Sequence, residues 1–212
     1  MKKKKKNKST IAAVKHSKKP LISVCLIAKN EEKYIDQCLS SVKKIADEII
    51  FVDTGSTDKT VEIARKYTDK IYVHPWNDSF SEARNHYLEY ATGEWIFQID
   101  ADEELVKEDI PIVSKAVQDG TIDAVMVQIV SKLREGKSES LHSVERIFRN
   151  NKQIHYEGRV HNRLVGIKNA KVYPIRLMHY GYDLGQTQSK KKFERTVRLL
   201  EMDLEDNPEN PI

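Results

Sequence analysis

Four short strand-like runs dominate the first hundred residues and leave little freedom in the fold. Residues 21–28 (LISVCLIA), 49–52 (IIFV), 70–74 and 95–99 (WIFQI) are separated by stretches with helical spacing. Tyr34, Ile35, Cys38, Leu39, Val42 and Ile45 recur at the 3.6-residue period, as do Val61, Ala64 and Tyr67, and then Ala83, Tyr87, Leu88 and Ala91. Continuous apolar runs rather than alternating ones predict strands buried on both faces. Strands spaced by single helices predict βαβ units and a mostly parallel sheet covered by helices. Right-handed crossovers put every strand-to-helix loop on the carboxyl edge, which is where open α/β sheets bind ligands.

Three runs end at that edge in polar clusters. The first passes into Ala28-Lys29-Asn30-Glu31-Glu32, where Glu31 suits ribose hydroxyls or the first turn of a helix. The second passes into VDTGSTD, residues 52–58, where Asp53 suits a nucleobase or ribose and Gly55 permits a tight turn. Ser56 or Thr57 is expected to cap the following helix. The fourth ends in Asp100-Ala101-Asp102, two carboxylates with no Lys or Arg beside them in sequence. Such a pair either binds a hard cation, Mg²⁺ or Mn²⁺, through oxygen ligands, or is two solvated loop acids.

The second half is less regular. Ile110, Val113 and Val117 predict a helix, residues 124–130 and 144–148 strands, and residues 133–140 a polar loop. Phe193, Val197, Leu200 and Leu204 trace a last amphipathic helix before Asn207-Pro208. The division expected is a disordered basic tail at 1–19, an α/β domain at 20–188, and a C-terminal helix at 189–212. That helix reads as the start of a helical-repeat region of a longer parent protein.

Charge excludes some functions. The 212 residues carry a net charge of +4, but residues 1–19 hold nine Lys and no acid, leaving 27 bases against 32 acids beyond them. The body is therefore acidic, which argues against nucleic acid. The tail is a solubilising end or a weak anionic-surface anchor. It lacks the apolar core of about 7–15 residues that a signal peptide needs. No stretch approaches the ~18–20 apolar residues of a membrane span. Cys25 and Cys38 form no disulfide or metal pattern and read as buried free thiols in a reducing cytoplasm.

In order and spacing, ISVCLIAKNEEKYIDQCLSSV, DEIIFVDTGSTDKTVEIA, FSEARNHYLEYATGEWIFQIDADEEL, YEGRVHN and LMHYGY resemble the family 2 glycosyltransferases. The resemblance covers roughly residues 20–185 and implies the GT-A nucleotide-diphospho-sugar transferase fold, a mostly parallel mixed sheet flanked by helices. Within the family the chain resembles a soluble branch with tetratricopeptide-type helices after the catalytic domain. That branch includes the sublancin-type bacteriocin peptide glycosyltransferases.

What this implies is a UDP-sugar donor, UDP-glucose, and a peptide Cys or Ser as acceptor. Alternatives are transfer to a lipopolysaccharide-core or cell-wall glycan, or a sugar-nucleotide-binding module without turnover. Asp53, Glu31, Asn30 and the backbone of Ala28 would form the uracil and ribose pocket. Arg84 would lie near the nucleotide, where a guanidinium suits uracil or diphosphate oxygens. Asp100, Ala101 and Asp102 would be the DxD motif, with Asp102 favoured for direct metal ligation and His179 completing the site; His179 taken alone reads as a hydrogen-bonded core histidine. Glu157 or His161 would serve as catalytic base, although the usual Glu-Asp pair is absent there. Arg146 and Arg149 would hold the leaving diphosphate or remain solvated strand charges. Thr54 stands where many relatives have a further Asp, and the Gln-x-x-Arg-Trp signature of processive synthases is missing. Oligomerisation stays open.

Overall fold

The computed structural model describes residues 21–133, 138–181 and 186–206. The basic segment 1–19, the centre of the 133–140 stretch and the turn from 207 onward lie outside the described residues. The elements are β1 (Ile22–Ala28), α1 (Ile35–Val42), β2 (Glu48–Asp53), α2 (Thr60–Ala64), β3 (Ile71–Val73), α3 (Phe80–Leu88), β4 (Trp95–Gln98) and β5 (Glu103–Leu105). A 3₁₀ turn (Lys107–Asp109) leads into α4 (Ile110–Ala116), then β6 (Ala124–Leu133), β7 (Ser138–Arg149), β8 (His155–Glu157), β9 (Arg163–Val165), β10 (Ala170–His179) and α5 (Gln186–Asp206).

Eight strands form one sheet in the order β3-β2-β1-β4-β7-β6-β10-β5, and β8 and β9 form a separate hairpin. β3, β2, β1 and β4 are parallel neighbours, β6 and β10 are parallel, and β7 and β5 run against the rest. The sheet is mixed and mostly parallel. β1 alternates its side chains between two apolar layers. Val24 and Leu26 join Leu39, Phe97 and Val113 on one face, while Cys25 joins Ile50, Tyr87 and Phe148 on the other. Burial on both faces explains why these strands read as unbroken apolar runs. In α1 the inward residues Ile35, Cys38, Leu39 and Val42 follow the helical period, and all are fully buried.

Local chemistry sets the helix starts. Ser79 caps α3, its side chain accepting from Glu82 N at 3.2 Å. α2 corrects an expectation. Neither Ser56 nor Thr57 caps it; Asp58 accepts from Thr60 N at 2.9 Å instead, and Ser56 and Thr57 turn toward Asn30.

The amino edge is closed by a buried carboxylate. Glu48 accepts from Thr92 N at 2.6 Å and Gly93 N at 3.1 Å, and also from Ser23 Oγ and Lys70 Nζ. Burial alone would raise its pKa, but these donors hold it down at about 2. Gly93 has to be bare, since a Cβ there would stand 2.5 Å from Ser23 Oγ. No helix among the described residues is long and apolar enough to cross a membrane.

Candidate active site

At the opposite edge, the loops after β1 and β2 are sewn together. Asn30 sits in the left-handed region with φ 58°, where Asn is tolerated better than most residues. Its N–H donates to Ser56 Oγ at 3.1 Å, and its Oδ1 accepts from Thr57 N at 2.8 Å. Glu31 N donates to Thr60 Oγ1 at 2.7 Å, and Lys59 N to Glu32 at 3.1 Å. Asp53, 6% exposed, turns its carboxylate onto its own loop and accepts from Gly55 N at 3.2 Å and Ser56 N at 3.1 Å. Above this seam lies a cleft of about 720 Å³, lined on this side by Ala28, Lys29, Glu31 and Thr54. Asn30 and Asp53 do not line it; they shape its floor.

The two carboxylates after β4 have different environments. Asp100 has no basic neighbour in sequence, yet folding surrounds it with two arginines. Arg84 donates to Oδ1 at 2.8 Å and Arg146 to Oδ2 at 2.9 Å, while Gln98 Nε2 adds a bond at 2.9 Å. Arg146 also donates to Glu103 at 2.7 Å, and Glu103 in turn accepts from Asp100 N at 2.9 Å. Burial opposes ionisation of Asp100, but the two guanidinium groups outweigh it and hold its carboxyl well below the usual range. For Glu103, 2% exposed, burial and the charge of Asp100 prevail over Arg146 and raise the carboxyl. Each oxygen of Asp100 thus accepts from a guanidinium, and the residue lines the cleft beside Asp102. Arg146, 8% exposed, is bound to Asp100 and Glu103 and does not line the cleft. Arg84 reaches the cleft wall but is held between Asp100 and Asn162 Oδ1, at 2.8 Å each.

Asp102, by contrast, faces the cleft with His179. Asp102 Oδ2 lies 3.2 Å from His179 Nε2, and His179 Nδ1 is 3.2 Å from Ser131 Oγ. Burial works against a charged imidazole here, but the hydrogen bond and charge of Asp102 raise its pKa. The backbone brings the pair together, because β10 runs antiparallel to β5 and Tyr180 N donates to Asp102 O at 2.9 Å. Gly181 leaves the space beside them. A Cβ on it would come within 1.9 Å of Asp102 Oδ2 and 2.9 Å of His179 Nε2.

A carboxylate oxygen and an imidazole nitrogen beside such a space fit a Mg²⁺- or Mn²⁺-type ion. Among the described residues no group of three or more His, Cys, Asp or Glu converges on one point. The pair would by itself supply two donors, leaving positions for ligand oxygens and water. Glu31, across the cleft, is pushed up to about 7, first by burial and then by the charges of Asp102 and Asp58.

Three further expected site residues are not brought to the cleft. Glu157 lies on the exposed side of β8, paired with His155 at 3.4 Å and Arg163 at 3.7 Å. His161 is absent from the lining, although its neighbours Val160 and Asn162 belong to it. Arg149 pairs across from Trp95, the first residue of β4, and so sits at the opposite edge of the sheet. There it stacks 4.0 Å from the Trp95 ring centroid and bonds Glu94 at 2.6 Å. Sequence reasoning missed Tyr34, Trp76, Phe80, Gly181, Lys192 and Arg195, all of which line the cleft. The i, i+3 spacing of Lys192 and Arg195 on a predicted helix was a visible signal, but nothing local says where that helix docks.

The mixed, mostly parallel sheet is that of the GT-A nucleotide-diphospho-sugar transferase fold. The crystal structure of Staphylococcus aureus TarS 1–349 in complex with UDP-GlcNAc shares the fold. Its TM-score is 0.60 at 19% identity, over 80% of this chain and 60% of that one. Residues 23–173 match Glycosyl transferase family 2, and the chain belongs to that family. It is 36% identical over 213 residues to the SPbeta prophage-derived glycosyltransferase SunS of Bacillus subtilis, covering 96% of this chain and 50% of SunS. It is also 31% identical over 200 residues to a TPR repeat-containing protein of Synechococcus elongatus, covering 89% of this chain and 49% of that protein. The chain thus spans about half the length of these curated relatives.

Proposed function

We propose that the chain is a metal-dependent, inverting glycosyltransferase acting in the cytoplasm. It moves glucose from UDP-glucose to a Cys or Ser side chain of a bacteriocin precursor peptide. The observation that carries this reading is the Asp102–His179 pair, 3.2 Å apart on the wall of the cleft above the β1 and β2 loops. The likeness to SunS along nearly the whole chain supports the family branch, and the peptide acceptor follows from the resemblance to that branch.

Asp102 and His179 would hold Mg²⁺ or Mn²⁺, which when bound neutralises charge on a departing diphosphate. The chain's own residues do the rest. The sewn loops present Ala28, Glu31 and Thr54 to the nucleoside without having to order on binding. Arg84 and Arg146 hold the Asp100 side chain, and Glu103 accepts from Asp100 N, which steadies the turn that carries Asp102. In the transfer, the acceptor atom bonds to the anomeric carbon as the bond to the diphosphate oxygen breaks, and the acceptor's proton leaves to a base. A cysteine acceptor needs little help, since a thiol with pKa ~8.5 is already partly ionised near neutrality. That suits a cleft from which Glu157 and His161 both stand apart.

The test is UDP release from UDP-glucose with Mn²⁺ or with chelator, with and without a Cys-containing precursor peptide, and mass spectrometry of the peptide. The expected result is a peptide heavier by one hexose, formed only with metal. Undiminished transfer in chelator would overturn the metal assignment, and hydrolysis without peptide modification would overturn the acceptor.

A further inference from the structure

α5 is expected from sequence to begin a separate helical region, yet it forms a wall of the cleft. Two ion-pair clusters dock it. Arg198 reaches Asp78 in the β3–α3 loop, with contacts of 2.8 and 2.5 Å. Arg159, in the turn between β8 and β9, pairs with Asp203 at 3.6 Å and donates from Nε to Asp206 at 3.1 Å. Between these clusters Leu199 is fully buried. The two anchored segments supply Trp76 and Phe80, and Val160 and Asn162, to the cleft, and they are themselves joined by a bond from Phe80 N to Arg159 O at 2.8 Å.

Docked this way, α5 turns Lys192 and Arg195 toward the cleft. The Arg195 guanidinium lies 5.3 Å from the Phe80 ring centroid. Arg195 has no carboxylate within 4 Å among the described residues, although Glu31 and Asp102 line the same cavity. Arg84, the other arginine lining the cleft, is held through its two terminal nitrogens by Asn162 and Asp100. A guanidinium held over an aromatic face in a cleft, within the field of Glu31 but in direct contact with no described carboxylate, is set for an anionic ligand. Its planar fork matches phosphate oxygens.

The structure assigns Arg195, with Lys192 beside it, as the cationic wall that binds the diphosphate of the sugar nucleotide in the cleft that Asp102 and His179 also line. This rests on the UDP-sugar reading above, and it makes α5 part of the catalytic unit.

The experiment compares UDP and uridine binding to the 212-residue chain, by ligand-observed NMR in Mg²⁺, for wild type, Arg195→Ala, Arg195→Lys and Lys190→Ala. Lys190 sits on the same helix outside the cleft lining, paired with Glu194, and controls for helix charge. Arg195→Ala is expected to weaken UDP about tenfold or more, the loss typical of a charge-assisted hydrogen bond, and to leave uridine unchanged. Arg195→Lys should recover part of that loss, and Lys190→Ala should match wild type. Unchanged UDP affinity, an equal loss for uridine, or an effect confined to a precursor peptide would each overturn the assignment. Wild type that binds uridine or UDP in no condition would overturn the donor reading and this inference with it. Wild type that binds UDP while Arg195→Ala binds it equally well would overturn this inference alone.

Discussion

Replacing Arg146 by Met tests the charge cluster under the cleft. Arg84, Arg146, Asp100 and Glu103 balance in charge, and Arg146 is the member that contacts both acids, at 2.9 and 2.7 Å. Its side chain is 10% exposed and that of Glu103 2%, whereas Asp100 is 31% exposed and keeps Arg84. The damage therefore concentrates on Glu103. Removing one partner of a buried pair costs about 3–5 kcal/mol, and the lower end applies because Asp100 remains paired. For a chain of this size, ~3 kcal/mol corresponds to a fall of about 6–12 °C in Tm.

The loss should also depend on pH. Glu103 is already raised above the usual carboxylate range by burial and Asp100, and losing Arg146 raises it further. A carboxyl whose folded pKa exceeds its unfolded value of about 4.3 holds a proton that the unfolded chain has given up, so stability falls as pH rises through that window. Urea unfolding of wild type and variant at about pH 5.5 and about pH 8.5 should thus give the larger deficit at the higher pH. Adding Glu103→Gln should remove most of that pH dependence. A deficit below about 1 kcal/mol at the higher pH, or one that grows as pH falls, would refute the argument.

Three further outcomes follow from the cleft. Asp102→Ala should abolish metal-dependent UDP release with a near-normal Tm, because the bond from Tyr180 N is to its backbone oxygen; near-normal turnover would remove the metal assignment. Gly181→Ala would put a Cβ 1.9 Å from the Asp102 carboxylate. It should weaken Mn²⁺ binding, read by electron paramagnetic resonance, and unaltered affinity would show that the space beside Asp102 is not used. Glu31, at about 7 and raised in part by Asp102, should titrate lower once Mg²⁺ is added, by about 1 unit or more in a carbon-13 NMR titration; no downward movement would separate Glu31 from the metal.

The parallel half of the fold is legible because its physics is local. Doubly buried strands produce apolar runs, and helices packed on them produce the 3.6-residue period. β5 is not legible. Its Glu103-Glu104-Leu105 belongs to an acidic stretch, and Glu103 tolerates burial only because Arg146 arrives from 43 residues away. β10 hides for another reason: Pro174 falls where its pairing with β6 shifts register between Val172 and Arg176, so neither period survives there. In the candidate site, the edge position of Asp100 and Asp102 could be read directly, but the difference between their surroundings could not. It depends on Arg84, Arg146 and His179, which only the tertiary fold brings to them. Arg146 and Arg149 look equivalent in sequence and end at opposite edges of the sheet.

The two cysteines take on a meaning beyond packing if the acceptor is a thiol. An enzyme that glycosylates cysteine carries potential substrates in its own chain and faces the risk of modifying itself. Cys25 and Cys38 are fully buried, and both thiols are pushed well above their ordinary pKa, chiefly by burial. Cys38 stands against the backbone carbonyl of Asp100 at 3.4 Å, close behind the motif it would otherwise compete for. Neither thiol can reach the cleft or supply a thiolate while the chain is folded. The sheet thus shields the protein from its own proposed chemistry, and intact-mass analysis after long incubation with UDP-glucose should find the folded chain unmodified.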